Sequence, residues 1–345
     1  GAMHPVTNKV RRLRFGLIGA GRIADSYVQA FRAASNATLV AVADTREDAA
    51  RAMAEAAGCP SFPSHRQMLE QVECDAVVVA TPPASHPDIC MDALRRKLHV
   101  LCEKPVCLTT EAATAIRDAA EQNGVLFTMA SKFRYAEDVI RAKALVTSGV
   151  LGDIVLFENT FMSRVDMTTR WNSKPAIAGG GVLIDNGTHS VDIMRYFLGP
   201  LQEVYAAECP RTQALTVEET VRVLVKSASG VMGSMDLSWS LNKEVDHYIV
   251  IYGSHGTLRV GWKQSTYRQS SAADWVTFGN GYNKVSSFRR QIENFSGAIQ
   301  GHEQLRITAD DAIASVEAIQ AAYQALGKGT WIPVSQQQTP LAAAS

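Results

Sequence analysis

The chain has 345 residues, 34 of them Lys or Arg and 34 Asp or Glu, for a formal net charge of zero. That balance gives no electrostatic footing for nucleic acid or an acidic membrane surface, and no apolar run approaches the ~20 residues that span a bilayer. The length suits about two domains of ordinary size, each with its own core.

Gly1-Ala2 ahead of Met3 reads as a tag remnant, so residues 1–9 and the small, polar tail 336–345 are expected to lie outside the fold. Arg11-Arg12 runs straight into Phe15-Gly16-Leu17-Ile18 with no cleavable apolar region after it, and no export signal is expected. Between residues 10 and 131 short apolar runs alternate with amphipathic ones. Arg14–Gly19, Thr38–Asp44, Asp75–Ala80, Leu98–Cys102 and Val125–Ala130 read as strands; Ile23–Ala34, Arg46–Ala57, His86–Arg96 and Thr109–Asn123 read as helices. This βαβ rhythm predicts a dinucleotide-binding Rossmann domain, a doubly wound parallel sheet with helices on both faces.

The rhythm changes near Gly149–Asp153. Ile154–Met162, Val217–Lys226, Val231–Trp239 and His247–Tyr252 are longer β-rich runs, with Ser229-Gly230 as a hairpin signal between two of them. Residues 132–335 are therefore predicted to form an α+β substrate-binding domain, a large, mostly antiparallel, open-faced sheet. Helices at Asp185–Leu198, Ser286–Gln300 and Thr308–Leu326 cover one side. The uncovered side is expected to meet a second subunit, giving a homodimer or homotetramer. The six cysteines contain no Cys-x-x-Cys pair and fit the buried thiols of a cytoplasmic protein; no His/Cys spacing matches a metal template.

Gly19-Ala20-Gly21-Arg22-Ile23-Ala24 places Gly-x-Gly-x-x-Ala between the first strand and helix. Gly19 allows the tight turn, Gly21 lets backbone approach a pyrophosphate, and the helix N-terminus meets the phosphate charge. Asp44 at the end of the next strand suits the ribose hydroxyls of NAD, while Arg46 keeps NADP possible; as a structural residue Asp44 would cap a helix. Thr81-Pro82 is held extended along the cofactor cleft, and His86 either points at the cofactor or caps the helix that follows. Lys104, in Glu103-Lys104-Pro105, ends a strand over the pocket mouth. Asp185 and His189 stand four apart on one helix, so a carboxylate and an imidazole share a face. The structural alternative makes Asp185 a helix cap and His189 an interior histidine, with Asp192 and Arg195 as an ion pair.

Taken in order, Gly19-Ala20-Gly21-Arg22-Ile23-Ala24, Ala80-Thr81-Pro82-Pro83…His86, Cys102-Glu103-Lys104-Pro105 and Gly179-Gly-Gly…Asp185…His189 resemble the glucose–fructose oxidoreductase / inositol dehydrogenase / rhizopine-catabolism (Gfo/Idh/MocA) family. The resemblance implies NAD(P)-dependent redox chemistry on a sugar, polyol or sugar derivative. It implies that Lys104 is the catalytic lysine, that Asp185 and His189 are its Asp-x-x-x-His pair, and that Arg170-Trp171 approaches the nicotinamide. It also sets Arg134 along the substrate cleft, and puts Pro83 where asparagine is frequent. In the mechanism so implied, His189 takes the hydroxyl proton, Lys104 stabilises alkoxide charge and Asp185 orients the imidazole. Asn159, Arg164, Asp166, Trp171 and Trp239 are further candidate substrate contacts. An NAD-dependent glycosidase working by transient oxidation, an NADPH-dependent keto-sugar reductase and a non-catalytic cofactor-binding sensor remain alternatives.

Overall fold

A computed structural model describes residues 11–334, so the expected tag remnant and tail lie outside the described residues. The first half alternates β1 (Leu13–Ile18), α1 (Arg22–Ala33), β2 (Ala37–Ala43), α2 (Glu47–Ala57), β3 (Ser61–Phe62), α3 (His65–Gln71), β4 (Ala76–Val79), α4 (His86–Arg95), β5 (His99–Cys102), α5 (Thr110–Gln122) and β6 (Phe127–Met129). The six strands pair in the order β3-β2-β1-β4-β5-β6, all parallel. Residues on both faces of the central strands are buried: Phe15, Leu17 and the whole of Val77–Val79 are fully enclosed, as expected for a sheet sandwiched between helices. The strand order reverses between β1 and β4, which opens a crevice at their carboxyl ends.

A second set follows: α6 (Glu137–Ser148), β7 (Ile154–Met162), α7 (Pro175–Ala178), α8 (Val182–Leu198), β8 (Leu201–Glu208), β9 (Thr220–Ser227), β10 (Met232–Ser238), β11 (His247–Gly253), β12 (Gly256–Gly261), β13 (Ser265–Gln269), β14 (Val276–Gly279), α9 (Lys284–Ile299), α10 (Ala309–Lys328) and β15 (Ile332–Pro333). Nine strands form one sheet, β14-β13-β12-β11-β7-β10-β9-β8-β15, in which only β7 and β10 run parallel. Alternation decides which face is covered. Phe157 and Phe161 of β7, Val221, Val223 and Val225 of β9, and Met235 and Leu237 of β10 pack with Leu183, Val191 and Met194 of α8 and Ile319 and Ala322 of α10. The opposite face leaves Leu156 and Tyr252 exposed.

α9 returns to the first sheet instead of lying on the second. Its Phe288, Ile292 and Phe295 share a core with Phe15, Tyr27 and Phe31, and Tyr27 meets Phe288 edge-on at 4.9 Å. α9 thereby ties the second half of the chain to the first sheet.

Candidate active site

The cleft encloses about 1480 Å³ between the carboxyl ends of the parallel strands and the covered face of the large sheet. At one end lies the turn from β1 into α1. Gly19 takes φ 113°, and a Cβ there would fall 2.6 Å from the Ala80 carbonyl oxygen. Gly21 differs. A Cβ on it would meet no protein atom nearer than 3.8 Å, so the chain's own packing does not demand glycine there, whereas a closely approaching ligand does. Gly21 is also the N-cap of α1 and supplies no side-chain acceptor, which leaves the helix's first N–H groups for an anion. Asp44 Oδ2 accepts from the Ala20 N–H at 2.8 Å and Oδ1 from the Arg46 N–H at 2.8 Å. Burial pushes its carboxyl up, but these two hydrogen bonds together with the Arg46 guanidinium outweigh that and hold it below the usual range. Gly19, Gly21, Arg22, Ile23, Asp44, Arg46, Thr81, Pro82, Glu103, Arg170 and Trp171 all line the cleft, and these residues fit a dinucleotide. Ala20 takes part through its N–H to Asp44.

Lys104 leaves the end of β5 and crosses the cleft to α8. Its Nζ donates to Asp185 Oδ1 at 3.0 Å and to the Asp185 carbonyl oxygen at 2.7 Å. The Lys104–Pro105 peptide bond is cis. Asp185 is not a helix cap, because α8 begins three residues earlier; Gly181 is the N-cap. The buried carboxylate of Glu218 caps the helix from outside, accepting from the Gly181 N–H at 3.0 Å and the Leu183 N–H at 3.0 Å, with Tyr323 Oη donating to it at 2.9 Å. A Cβ on Gly181 would lie 2.2 Å from the Glu218 carbonyl oxygen, which accounts for the end of the glycine run.

The i,i+4 spacing does bring Asp185 and His189 to one cleft, yet Asp185 does not orient the imidazole. Its oxygens are taken by Lys104 Nζ, by Trp239 Nε1 at 3.1 Å and by Asn172 Nδ2 at 3.5 Å. His189 Nδ1 is buried with no hydrogen-bond partner among the described residues. Protonating the ring would put an N–H in that unpartnered place. Burial first, then Lys104 and Lys132, hold His189 well below the usual histidine range, so it stands neutral at pH 7. The ring is positioned by packing, with Phe133 edge-on at 5.1 Å.

Several residues expected at the site lie elsewhere in the molecule. Arg134 does not line the substrate cleft. It is buried in the interior, with Nη2 donating to Asp192 Oδ1 at 2.6 Å and Nε to Asp192 Oδ2 at 3.1 Å. Asp192 thus pairs with Arg134, and Arg195 pairs with Asp311 at 2.9 Å. His86 is fully buried and does not face the cofactor end: Nδ1 lies 2.8 Å from the Pro105 carbonyl oxygen and Nε2 2.6 Å from that of Thr81. It fastens the segment after β4 to the segment after β5. Arg164 and Asp166 are exposed outside the cleft wall, Asp166 accepting from Thr168 Oγ1 at 2.6 Å. Asn159 is buried in β7, where its Nδ2 donates to the Tyr248 carbonyl oxygen at 3.0 Å.

Lys132, Lys284, Asn172 and Trp262 line the cleft without having been singled out from the sequence. Lys132 follows the end of β6 just as Lys104 follows the end of β5, so the same strand-end rule reaches it. Burial, then Lys284 and Lys104, bring its ammonium down to about 8.

Comparison with known proteins agrees with this architecture. The oxidoreductase family with an NAD-binding Rossmann fold matches residues 13–131, and the GFO/IDH/MocA C-terminal domain matches residues 139–259. D-xylose 1-dehydrogenase (NADP(+)) 2 of Haloferax volcanii is 28% identical over 325 residues, covering 92% of this chain and 98% of the relative. Inositol 2-dehydrogenase of Rhizobium meliloti is 24% identical over 347 residues, covering 94% and 99%. The solved structure of levoglucosan dehydrogenase in complex with NADH and levoglucosan superposes with a TM-score of 0.86 at 21% identity, covering 94% of this chain and 100% of that one. With both of its halves matched in order, the chain belongs to the Gfo/Idh/MocA family of NAD(P)-dependent oxidoreductases.

Proposed function

We propose that this enzyme oxidises a secondary hydroxyl of a sugar or polyol derivative, and reduces the corresponding ketone, with Lys104, Asp185 and His189 as the catalytic group. The observation that carries this reading is the ion pair from Lys104 to Asp185 across the cleft, beside a neutral His189. When bound along Gly19–Ile23 and Asp44, NAD(P) supplies the hydride acceptor. A neutral imidazole accepts the hydroxyl proton, and the Lys104 ammonium, aimed by Asp185, stabilises the alkoxide charge that develops. Asp185 therefore works on the lysine. The names of the relatives, a xylose and an inositol dehydrogenase, support the substrate class.

NAD is the preferred cofactor in this reading, because Asp44 presents a carboxylate where a 2′-phosphate would have to sit. The xylose dehydrogenase uses NADP+, so the preference rests on Asp44 alone. The exposed Leu156 and Tyr252 on the open sheet face support pairing of two copies into a dimer or tetramer. The test is NAD+ and NADP+ reduction over a panel of polyols, sugars and sugar acids. NADH formation is expected with at least one compound, faster with NAD+ than with NADP+. Release of a glycosyl group without net NADH, or no reduction at all, refutes it.

A further inference from the structure

Lys132 opens the turn Lys132–Tyr135 that follows β6, and its side chain enters the cleft. Its Nζ lies 5.2 Å from the ring centre of Phe133 and 5.7 Å from that of Tyr282. An ammonium normally finds acceptors when partly enclosed, yet neither nearby carboxylate bonds this one, each being engaged by other donors. Glu103 accepts from Tyr27 Oη at 2.6 Å and from the Lys104 N–H at 3.2 Å. Asp185 is shared by Lys104, Trp239 and Asn172. Among the described residues no carboxylate pairs with Lys132, and none pairs with Lys284, which lines the same cleft from the first turn of α9.

Two lysines that form no ion pair among the described residues thus share a cleft wall in a chain whose formal net charge is zero. The cofactor's pyrophosphate does not account for Lys132. β6 stands three strands from β1 in the parallel sheet, which at about 4.8 Å per strand separates Lys132 from the glycine turn by roughly 14 Å. Lys132 lies instead on the side of His189, whose ring packs against Phe133.

We propose that Lys132 and Lys284 form an anion-binding subsite at the substrate end of the cleft, so that the substrate is a sugar or polyol derivative bearing a carboxylate or a phosphate ester. The proposal rests on the dehydrogenase reading above and narrows its substrate class. Other charged or titratable groups facing Lys132 are Glu103 and Lys104 after β5, Asp185 and His189 on α8, and Tyr282 ahead of α9. Glu103 and Asp185 favour its charge; burial, Lys284 and Lys104 oppose it, leaving it at about 8. Anion affinity should therefore weaken as pH rises from 7 to 9.

The experiment is equilibrium binding of D-gluconate, D-glucuronate and glucose 6-phosphate, each against D-glucose, to the full chain at saturating NADH. The carboxylate and phosphate arms separate the two anion sources. Expected is at least one anion binding about tenfold or more tightly than glucose, about 1.4 kcal/mol, with the preference falling toward unity in Lys132→Met and largely kept in Lys132→Arg. Lys284→Met should reduce it as well, and serves if Lys132→Met does not fold. Equal binding of glucose and all three anions, no binding of any anion, or a Lys132→Met effect as large on NADH as on the anion overturns the subsite. Because binding is read without turnover, failure here is distinct from failure of hydride transfer, which the reduction panel reports.

Discussion

Replacing Asp185 with Asn keeps the outline of the side chain and removes its charge. In the native cleft the Lys104 and Asp185 charges are 3.0 Å apart, and the side chains are 14% and 23% exposed. At that distance an effective dielectric of about 20 gives an attraction of roughly 5 kcal/mol. Desolvation of both ions offsets most of it and leaves about 1–2 kcal/mol of net coupling. The amide carries a second cost, since its NH2 must face Lys104 or Trp239 Nε1, both of them donors. One enclosed donor then goes unmet, at about 1–3 kcal/mol. We expect Asp185→Asn to lower the unfolding free energy in urea by about 2–5 kcal/mol. A cycle with Lys104→Met should show about 1–2 kcal/mol of non-additivity. In NAD+ reduction with a substrate found by the panel, Asp185→Asn should lose about a hundredfold in kcat/KM, about 2.7 kcal/mol. Additive stabilities in the cycle, with turnover inside tenfold of the parent, would refute the positioning of Lys104 by Asp185.

Buried groups elsewhere set two more outcomes. Arg134→Ala leaves the fully buried Asp192 without its cation, and should cost about 3–5 kcal/mol in a urea titration. A rise in KM at unchanged stability would return Arg134 to the substrate cleft. His189 titrates well below its unfolded value of about 6.5. The unfolded chain therefore takes up the proton first on acidification, so this contribution costs nothing above that pH and grows below it, by up to about 1.4 kcal/mol per pH unit. His189→Gln should flatten the acid side of the stability–pH curve between pH 7 and 5; an unchanged slope would mean that His189 is not held neutral.

The parallel half of the fold was legible because each element there is specified locally. The period changes from strand to helix within a few residues, and Gly19-Ala20-Gly21 sits between β1 and α1. Lys104 was legible for the same reason, as the residue following a strand end. The partners of the site were not. Asp185 and His189 have the spacing to meet, but Lys104, 81 residues upstream, and Trp239, 54 downstream, claim the carboxylate. Such competition is decided by which elements the sheet topology brings together, and one helix's periodicity carries no trace of it. His86 shows the same limit. Its place at the start of α4 suggested the cofactor or a cap, whereas Pro105, 19 residues on, turns the ring inward. The place of Arg134 was not legible because its counter-charges, the buried Asp192 and the partly exposed Asp311, come from two distant helices.

The pairing of Arg134 with Asp192 bears on how the cleft is assembled. Ser131 Oγ also donates to Asp192, at 2.6 Å, so the segment on either side of Lys132 is riveted to the helix that presents Asp185 and His189. These bonds hold the residues around Lys132 to α8 through the chain's own side chains. Less orientational freedom is left to be lost on encounter.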